Sequence, residues 1–293
     1  MRSLILASVL LAACATTTPR APAPASQSND AGRAWNARLP QPVTMPTIFE
    51  GPVVEGSVRP MVIYQRLPET SIFGGGDFQV YALQLRVPIT DRLGFIATKD
   101  GYIDLNPGNG GDQEGFADVA AGLKYAVIQD AENGLIVTPG FVFEADVGNH
   151  DVFQGNGDGL LRMFVAAGLE RERFNFLANV GYNLPMDGAA ESHSIDYHAH
   201  VSYEAHANVQ PLVELHGITY TRDGGALPVN FEGGDLINLG ATNVSGRTVV
   251  TGAVGARFPI NPTVSLGVAY EFPIGSPHDL LKDRVTLDGV ISF

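Results

Sequence analysis

A two-residue alternation of apolar and polar side chains recurs along most of this 293-residue chain. Each alternating segment is about 10 to 14 residues long, the length of a strand that crosses a membrane, and is bounded by Gly, Asn, Asp or Pro. There are twelve such segments, near residues 54–65, 77–88, 92–104, 115–128, 134–146, 159–170, 173–184, 194–206, 208–221, 247–258, 263–273 and 282–293. The pattern predicts an all-β fold, because alternation with period two gives a strand one apolar and one polar face.

The connections between these segments alternate between short and long. The short ones are residues 89–91, 129–133, 171–172, Ala207 and 260–263. Transmembrane barrels have an even number of strands, tight periplasmic turns, longer extracellular loops and both termini on the turn side. We therefore predict that residues 51–293 form a transmembrane antiparallel up-and-down β-barrel of twelve strands in the outer membrane, with both termini in the periplasm.

The two faces of the segments differ in a way that favours lipid outside and water inside. In one segment Leu161, Met163 and Val165 share a face, and Arg162 and Glu170 share the other. A charge on the lipid face near the midplane would cost about 2–4 kcal/mol, so the polar face is assigned to the lumen. A soluble β-sandwich or lipocalin-like barrel is the alternative, but its outer face would carry more charge.

The N-terminus reads as an export signal followed by a linker. Residues 1–13 combine one positive residue with a short apolar stretch, which is typical of a signal peptide. The run Leu11 to Cys14 resembles the lipobox of bacterial lipoproteins, which implies a lipid anchor on Cys14. Ordinary cleavage after Ala15 is the alternative. Residues 14–50 are rich in Thr, Ala, Pro and Ser and are predicted to be a flexible, lipidated periplasmic tether.

The C-terminal third carries a family resemblance. The ending "RVTLDGVISF" resembles the last strand of Gram-negative outer-membrane proteins, which implies that the barrel assembly machinery binds Phe293. Residues 235–274 are similar to transporter-like barrels named for the phenol-degradation MetA pathway, loosely related to FadL-type channels. This resemblance implies transport of hydrophobic compounds. A lipobox is unusual for such barrels, most of which carry a plain export signal.

Charge restricts the partners. With 18 Lys and Arg against 31 Asp and Glu the formal net charge is −13, which repels phosphate backbones and excludes nucleic acid as a natural partner. Outer-membrane lipid and a small-molecule solute are the partners that the barrel prediction implies. No cofactor is expected.

A cluster of titratable residues marks the candidate site. Period two places Asp196, His198, His200 and Glu204 on the lumenal face of one strand. A turn centred on Ala207 pairs His198 with His216 and His200 with Glu214, because any odd register would turn apolar residues into the water. The predicted solute-contact residues of the lumen are Asp196, His198, His200, Glu204, Glu214, His216, Arg162 and Arg257.

This cluster is open to three interpretations. The side chains could fill the lumen as a hydrogen-bonded layer, contact an ion or solute as a pH-sensitive constriction, or bind Zn²⁺ or Ni²⁺. No metal site is assigned, because strand spacing alone does not give tetrahedral geometry. The other lumenal charges, among them Arg86 and Lys124, could line a pore or pair up as a plug.

The sequence therefore predicts a passive channel or transporter for small solutes. One alternative is a non-conducting structural or surface barrel. The other is an outer-membrane esterase or phospholipase that uses Ser202, His200 and Glu214 as a triad. We predict no enzyme, because the polar column of the strand explains these three residues without catalysis.

Overall fold

The computed structural model describes residues 38–276 and 279–293. The predicted signal peptide, Cys14 and the first part of the predicted tether lie outside the described residues. The described strands are Ser57–Arg66 (β1), Gly76–Pro88 (β2), Leu93–Lys99 (β3), Tyr102–Pro107 (β4), Gln113–Phe116 (β5), Val119–Tyr125 (β6), Ile128–Asp130 (β7), Leu135–Ala145 (β8), Leu160–Arg171 (β9), Phe174–Pro185 (β10), His193–Tyr203 (β11), Gln210–Arg222 (β12), Thr248–Asn261 (β13), Val264–Pro273 (β14) and Asp283–Ser292 (β15). A short 3-10 helix covers His150–Val152.

These strands form one closed antiparallel barrel. Two of the barrel strands are interrupted. Strands β3 and β4 together make one of them, and β5 and β6 together make the other. The short strand β7 pairs with one end of β8. The first break falls at Gly101, whose φ of 119° is available to glycine at little cost. Strand β1 pairs with both β2 and β15, with Ser57 opposite Ser292, which closes the cylinder. Over the described residues the predicted twelve-stranded barrel is confirmed.

The predicted faces are confirmed. Phe174 is 45% exposed, Leu266 48% and Leu287 50%, so the apolar face points away from the barrel. Their neighbours on the polar face point into the lumen and are buried, as Asn175 and Thr286 illustrate. No helix in the described part of the chain is long and apolar enough to span a membrane.

The two ends of the barrel differ as predicted. The turn end carries residues 89–92, 131–134, 172–173, 204–209 and 262–263. The opposite end, here the loop end, carries the longer connections. The longest of these, residues 223–247, lies across the mouth, where Leu236, Ile237 and Leu239 pack into an apolar cluster with side chains of β1, β2 and β4. The mouth of the loop end is therefore covered.

Residues 38–56, here called the plug, lie inside the barrel. The predicted tether boundary at residue 50 differs from the structure, because from Leu39 onward this segment is almost entirely buried. The reason is its apolar side chains: Leu39, Met45, Ile48 and Phe49 pack against lumenal residues such as Ile136. Composition rich in proline indicated a linker, but the burial of these four side chains stabilises the segment within the lumen.

The plug is U-shaped. It begins near the turn end, where Arg38 pairs with Glu170 at 3.1 Å. It reverses direction at Met45, which has a left-handed φ of 48° and whose carbonyl accepts from the N–H of Phe49 at 2.7 Å. It returns to the turn end, where the carbonyl of Gly56 accepts a hydrogen bond of 3.0 Å from the N–H of Phe293. Both legs therefore open toward the same end of the barrel.

Candidate functional site

The centre of the lumen holds a charged clamp on the plug. Arg86 of β2 donates to the two carboxylate oxygens of Glu50 at 2.9 and 2.6 Å, from Nε and Nη2. Lys124 of β6 donates to Oε1 of the same carboxylate at 2.7 Å. All three side chains are almost completely buried. Such bidentate, charge-assisted contacts are among the stronger hydrogen bonds in proteins.

The charge state of Glu50 follows from this environment. Burial alone raises the pKa of its carboxyl group, but the charges of Arg86 and Lys124 outweigh that effect and lower the pKa from 4.5 to about 2. Glu50 is therefore ionised at neutral pH, and its contribution to the stability of the plugged state is present above pH 4.5. That contribution is lost as the pH falls toward 2.

The wall also binds the backbone of the plug. Arg59 donates from Nη2 to the carbonyls of Pro42 at 2.8 Å and Val43 at 3.1 Å. Arg257 donates from Nε to the carbonyl of Gln41 at 3.1 Å. Further carbonyls of the plug accept from Gln84, Lys124, Thr138 and Asn179. Because prolines interrupt backbone pairing, these carbonyls stay free for side-chain donors.

The two arginines that hold the plug backbone share one carboxylate. Asp288 of β15 accepts from Nε of Arg59 at 2.7 Å and from Nη1 and Nη2 of Arg257, both at 3.0 Å. Gln84 lies beside them, and its Oε1 accepts from Arg59 at 3.3 Å and from Arg86 at 3.2 Å. The cations of β1, β2 and β13 thus form one connected group.

The predicted histidine pairs are confirmed in register, with His198 opposite His216 and His200 opposite Glu214. The carboxylate of Glu214 accepts from the backbone N–H of Val43 at 2.9 Å and of Thr44 at 2.8 Å. The hydroxyl of Thr44 also hydrogen-bonds to Glu214 and, at 2.7 Å, to Nε2 of His216. The ring of Phe49 stacks on His198 with 5.0 Å between centroids. This cluster contacts the plug.

The remaining predicted site residues divide into two groups. Arg162 donates from Nη2 to Oδ1 of Asp196 at 2.6 Å, and His198 Nε2 lies 2.9 Å from the same oxygen, so both join the buried lumenal network. Arg257 is buried in the plug-binding group described above. Glu204 does not join the cluster, because β11 ends at Tyr203 and Glu204 lies half-buried in the turn that follows.

The geometry bears on the metal and esterase interpretations. Within the described residues there is no group of three or more His, Cys, Asp or Glu side chains arranged to hold a metal ion. Nδ1 of His198 lies 3.0 Å from Nδ1 of His216, a hydrogen-bonding arrangement. The hydroxyl of Ser202 and Nε2 of His200 each have no hydrogen-bond partner among the described residues, so the Ser–His contact of a triad is not formed there.

Sequence reasoning missed Glu50, Arg59 and the plug as a whole. The two-residue alternation of the strands predicts that Arg86 and Lys124 point into the lumen, but nothing in that pattern identifies their partner. One signal was available: the stretch from Leu39 to Val54 contains four prolines and several large apolar residues but a single charged side chain, Glu50. If such an apolar segment is buried, its lone charge needs a counterion, because an unpaired buried charge is costly.

Comparison with known proteins supports the fold. No protein-family model and no curated protein matches the sequence. The NanC porin structure is similar with a TM-score of 0.51 and 12% identity, over 81% of this chain and 99% of that one. The COG4313 outer membrane channel from Pseudomonas putida F1 is similar with a TM-score of 0.54 and 14% identity, over 82% and 96% of the two chains. The chain therefore has the barrel fold of outer-membrane porins and channels.

Proposed function

We propose that this chain is an outer-membrane channel for small solutes and that its own plug closes the lumen. The observation that carries this proposal is the set of polar contacts that joins residues 38–56 to the wall, centred on Glu50 and its two cations. An apolar outer face around a polar lumen supports insertion in a bilayer. We assign the turn end to the periplasm, because barrels of this kind place their short turns there.

The plug can leave without crossing the barrel. Both of its legs open at the turn end, and it continues into β1 at Ser57 through residues that lie at that rim. Most of its polar contacts to the wall are hydrogen bonds that water can replace once the lumen is hydrated. At its tip, Thr47 donates to the carbonyl of Asp235 in the 223–247 connection at 2.7 Å, so the plug and the cover of the mouth are in contact.

The lumen favours polar solutes over hydrophobic ones. The family resemblance implies hydrophobic compounds, but the middle of the wall carries the charged side chains Arg59, Arg86, Lys124, Arg257 and Asp288. A hydrophobic solute would have to pass these groups without pairing them, which costs free energy for each desolvated charge. We therefore include small polar molecules in the proposed solute class.

Conductance in planar bilayers tests the proposal. In Glu50→Gln the clamp loses its negative charge and leaves two buried cations without a counterion, so we expect the open fraction of time to rise at least about tenfold over the wild type, the equivalent of 1.4 kcal/mol. Glu55→Gln is the matched control. It makes the same charge change five residues further along, where the carboxylate accepts from Gln41 of the plug itself.

A reversible lock tests whether the plug is the barrier. Oγ1 of Thr47 lies 3.3 Å from Oδ2 of Asp235, so the two side chains meet, and a disulfide between Thr47→Cys and Asp235→Cys would hold the plug to the 223–247 connection. The oxidised pair should be silent and should conduct after reduction, whereas Asp235→Cys alone should not respond to reductant. If Glu50→Gln and the reduced pair are as silent as the wild type, the protein is a non-conducting structural barrel instead.

A further inference from the structure

We propose that Arg86 and Lys124 form a binding site for the carboxylate group of a small solute, and that Glu50 occupies this site in the plugged state. The inference rests on the proposed channel function and names the chemistry of its solute. The guanidinium of Arg86 contacts both oxygens of the Glu50 carboxylate through Nε and Nη2, and Lys124 contacts one of them. This planar, two-point arrangement matches a carboxylate and not a monatomic anion such as chloride.

Arg86 has a donor to spare. Its Nη1 is buried and has no hydrogen-bond partner among the described residues, although the side chain is only 1% exposed. A buried guanidinium N–H without an acceptor is unfavourable, because its lost hydration is not replaced. A solute that carries a second acceptor beside its carboxylate would satisfy this donor, which Glu50 does not.

The charge balance of the wall points to the same class of ligand. When Glu50 leaves, Asp288 is the one carboxylate among the described residues that still hydrogen-bonds to the connected cations Arg59, Arg86, Lys124 and Arg257. Unpaired buried cations are costly, so the open lumen requires an anion from solution. A carboxylate solute that enters the clamp replaces Glu50 contact for contact. It therefore favours the open state by binding only when the plug has left.

The first experiment measures binding without conduction. Potassium acetate is titrated by calorimetry into Glu50→Ala in detergent, and into the wild type, whose clamp is filled. We expect saturable acetate binding by the variant and at least about tenfold weaker binding by the wild type. Adding Arg86→Lys, which keeps the charge and loses the two-point contact, should weaken acetate binding about tenfold, the equivalent of 1.4 kcal/mol. Potassium chloride and potassium sulfate serve as the comparison anions.

The second experiment uses the wild-type protein and does not depend on the folding of a variant. Potassium acetate should raise its open fraction of time in planar bilayers, whereas the same concentration of potassium chloride should not. Saturable binding together with this activation supports the site and the channel.

The two proposals fail in different ways. Acetate binding by Glu50→Ala without conductance by any variant would keep the site and overturn the channel. A second outcome is that Glu50→Gln conducts, but acetate binds no better than chloride and Arg86→Lys does not weaken acetate binding. That outcome would keep the channel and overturn the carboxylate site. Equal binding of acetate, chloride and sulfate would show a general attraction of anions and would also overturn it.

Discussion

At the scale of single residues, Gly168 controls the fit of the plug. It faces the lumen from β9, and a Cβ atom built on it would lie 2.8 Å from Cδ1 of Leu39 and 2.9 Å from Cγ of Pro52. These distances are shorter than normal contacts between carbon atoms. The absence of a side chain here lets both legs of the plug lie against the wall at the turn end.

Gly168→Leu should therefore displace the plug while leaving the barrel closed. A leucine side chain has no room beside Leu39 and Pro52, and overpacking of this kind costs about 1–3 kcal/mol. Most of this cost falls on the plugged state, because the two closest atoms belong to the plug and the next, Cγ2 of Ile136 in the wall, is 3.1 Å away. We expect more frequent channel opening and faster proteolytic cleavage within residues 38–56. Ala167→Leu, one residue away on the outer face, is the control and should behave as the wild type. Unchanged cleavage in Gly168→Leu would contradict this role of the glycine.

At the scale of elements, the connections at the loop end are held by buried carboxyl groups. Glu232 accepts through its two oxygens from Ser192, Leu239 and Ala241, which joins two connections across the mouth. Glu191 is buried nearby, and one of its oxygens has no partner among the described residues. Burial and then the charge of Glu144 raise the pKa of Glu191 to about 8, despite the opposing effect of Lys99.

The stability of the protein should fall as the pH rises from 5 to 9. A carboxyl group whose pKa is raised from 4.5 to about 8 by folding stabilises the native state below pH 4.5, and that contribution is lost as the pH rises to 8. Asp279, whose pKa burial raises to about 6, adds a smaller loss at lower pH. The groups that face Glu191 are Glu144, Lys99, Asp118 and Glu232.

This effect is measured by heating samples and finding, on a gel, the temperature at which the folded band is replaced by the unfolded band. We expect a decrease of several degrees between pH 5 and pH 9 in the wild type and a smaller decrease in Glu191→Gln, which cannot ionise. An equal decrease in both proteins would assign the effect to other groups.

At the scale of the whole molecule, the barrel exposes apolar side chains around its circumference and buries charge at its centre. Val165 is 48% exposed in the middle of β9, while Arg162 on the other face of the same strand is 3% exposed. This distribution is the inverse of that in a soluble protein and is stable only when hydrocarbon surrounds the cylinder. Because charge is buried at the centre, ion pairs of Glu50 hold the plug together with the apolar contacts of its other side chains.

Val165→Arg should test the surrounding hydrocarbon directly. A charged side chain on the lipid face near the midplane should lower the free energy of unfolding of the barrel in liposomes by about 2–4 kcal/mol. Asp112→Arg, in an exposed connection at the loop end, makes a larger charge change and should have a much smaller effect. Urea unfolding in liposomes measures both. An equal, small effect of both variants would place β9 in water.

The strand pattern alone predicted the twelve strands, their two faces, the alternation of short and long connections and the register of His198 with His216. Each of these follows from local periodicity, because a slip of one residue would move apolar side chains into the lumen. The sequence also indicated that Arg162, Arg257 and Glu214 point inward. It could not show that Glu204 falls beyond the end of its strand, since strand ends depend on the turn that follows.

What fills the lumen depends on contacts that form only in the folded barrel. The plug has no periodicity, and its contacts join residues far apart in the chain, such as Glu50 with Lys124 and Thr44 with Glu214. Its prolines cannot pair as a strand, so its position depends on donors that several different strands bring together. Local patterns report which way a side chain points. Which group it meets across the lumen is determined only when the cylinder closes.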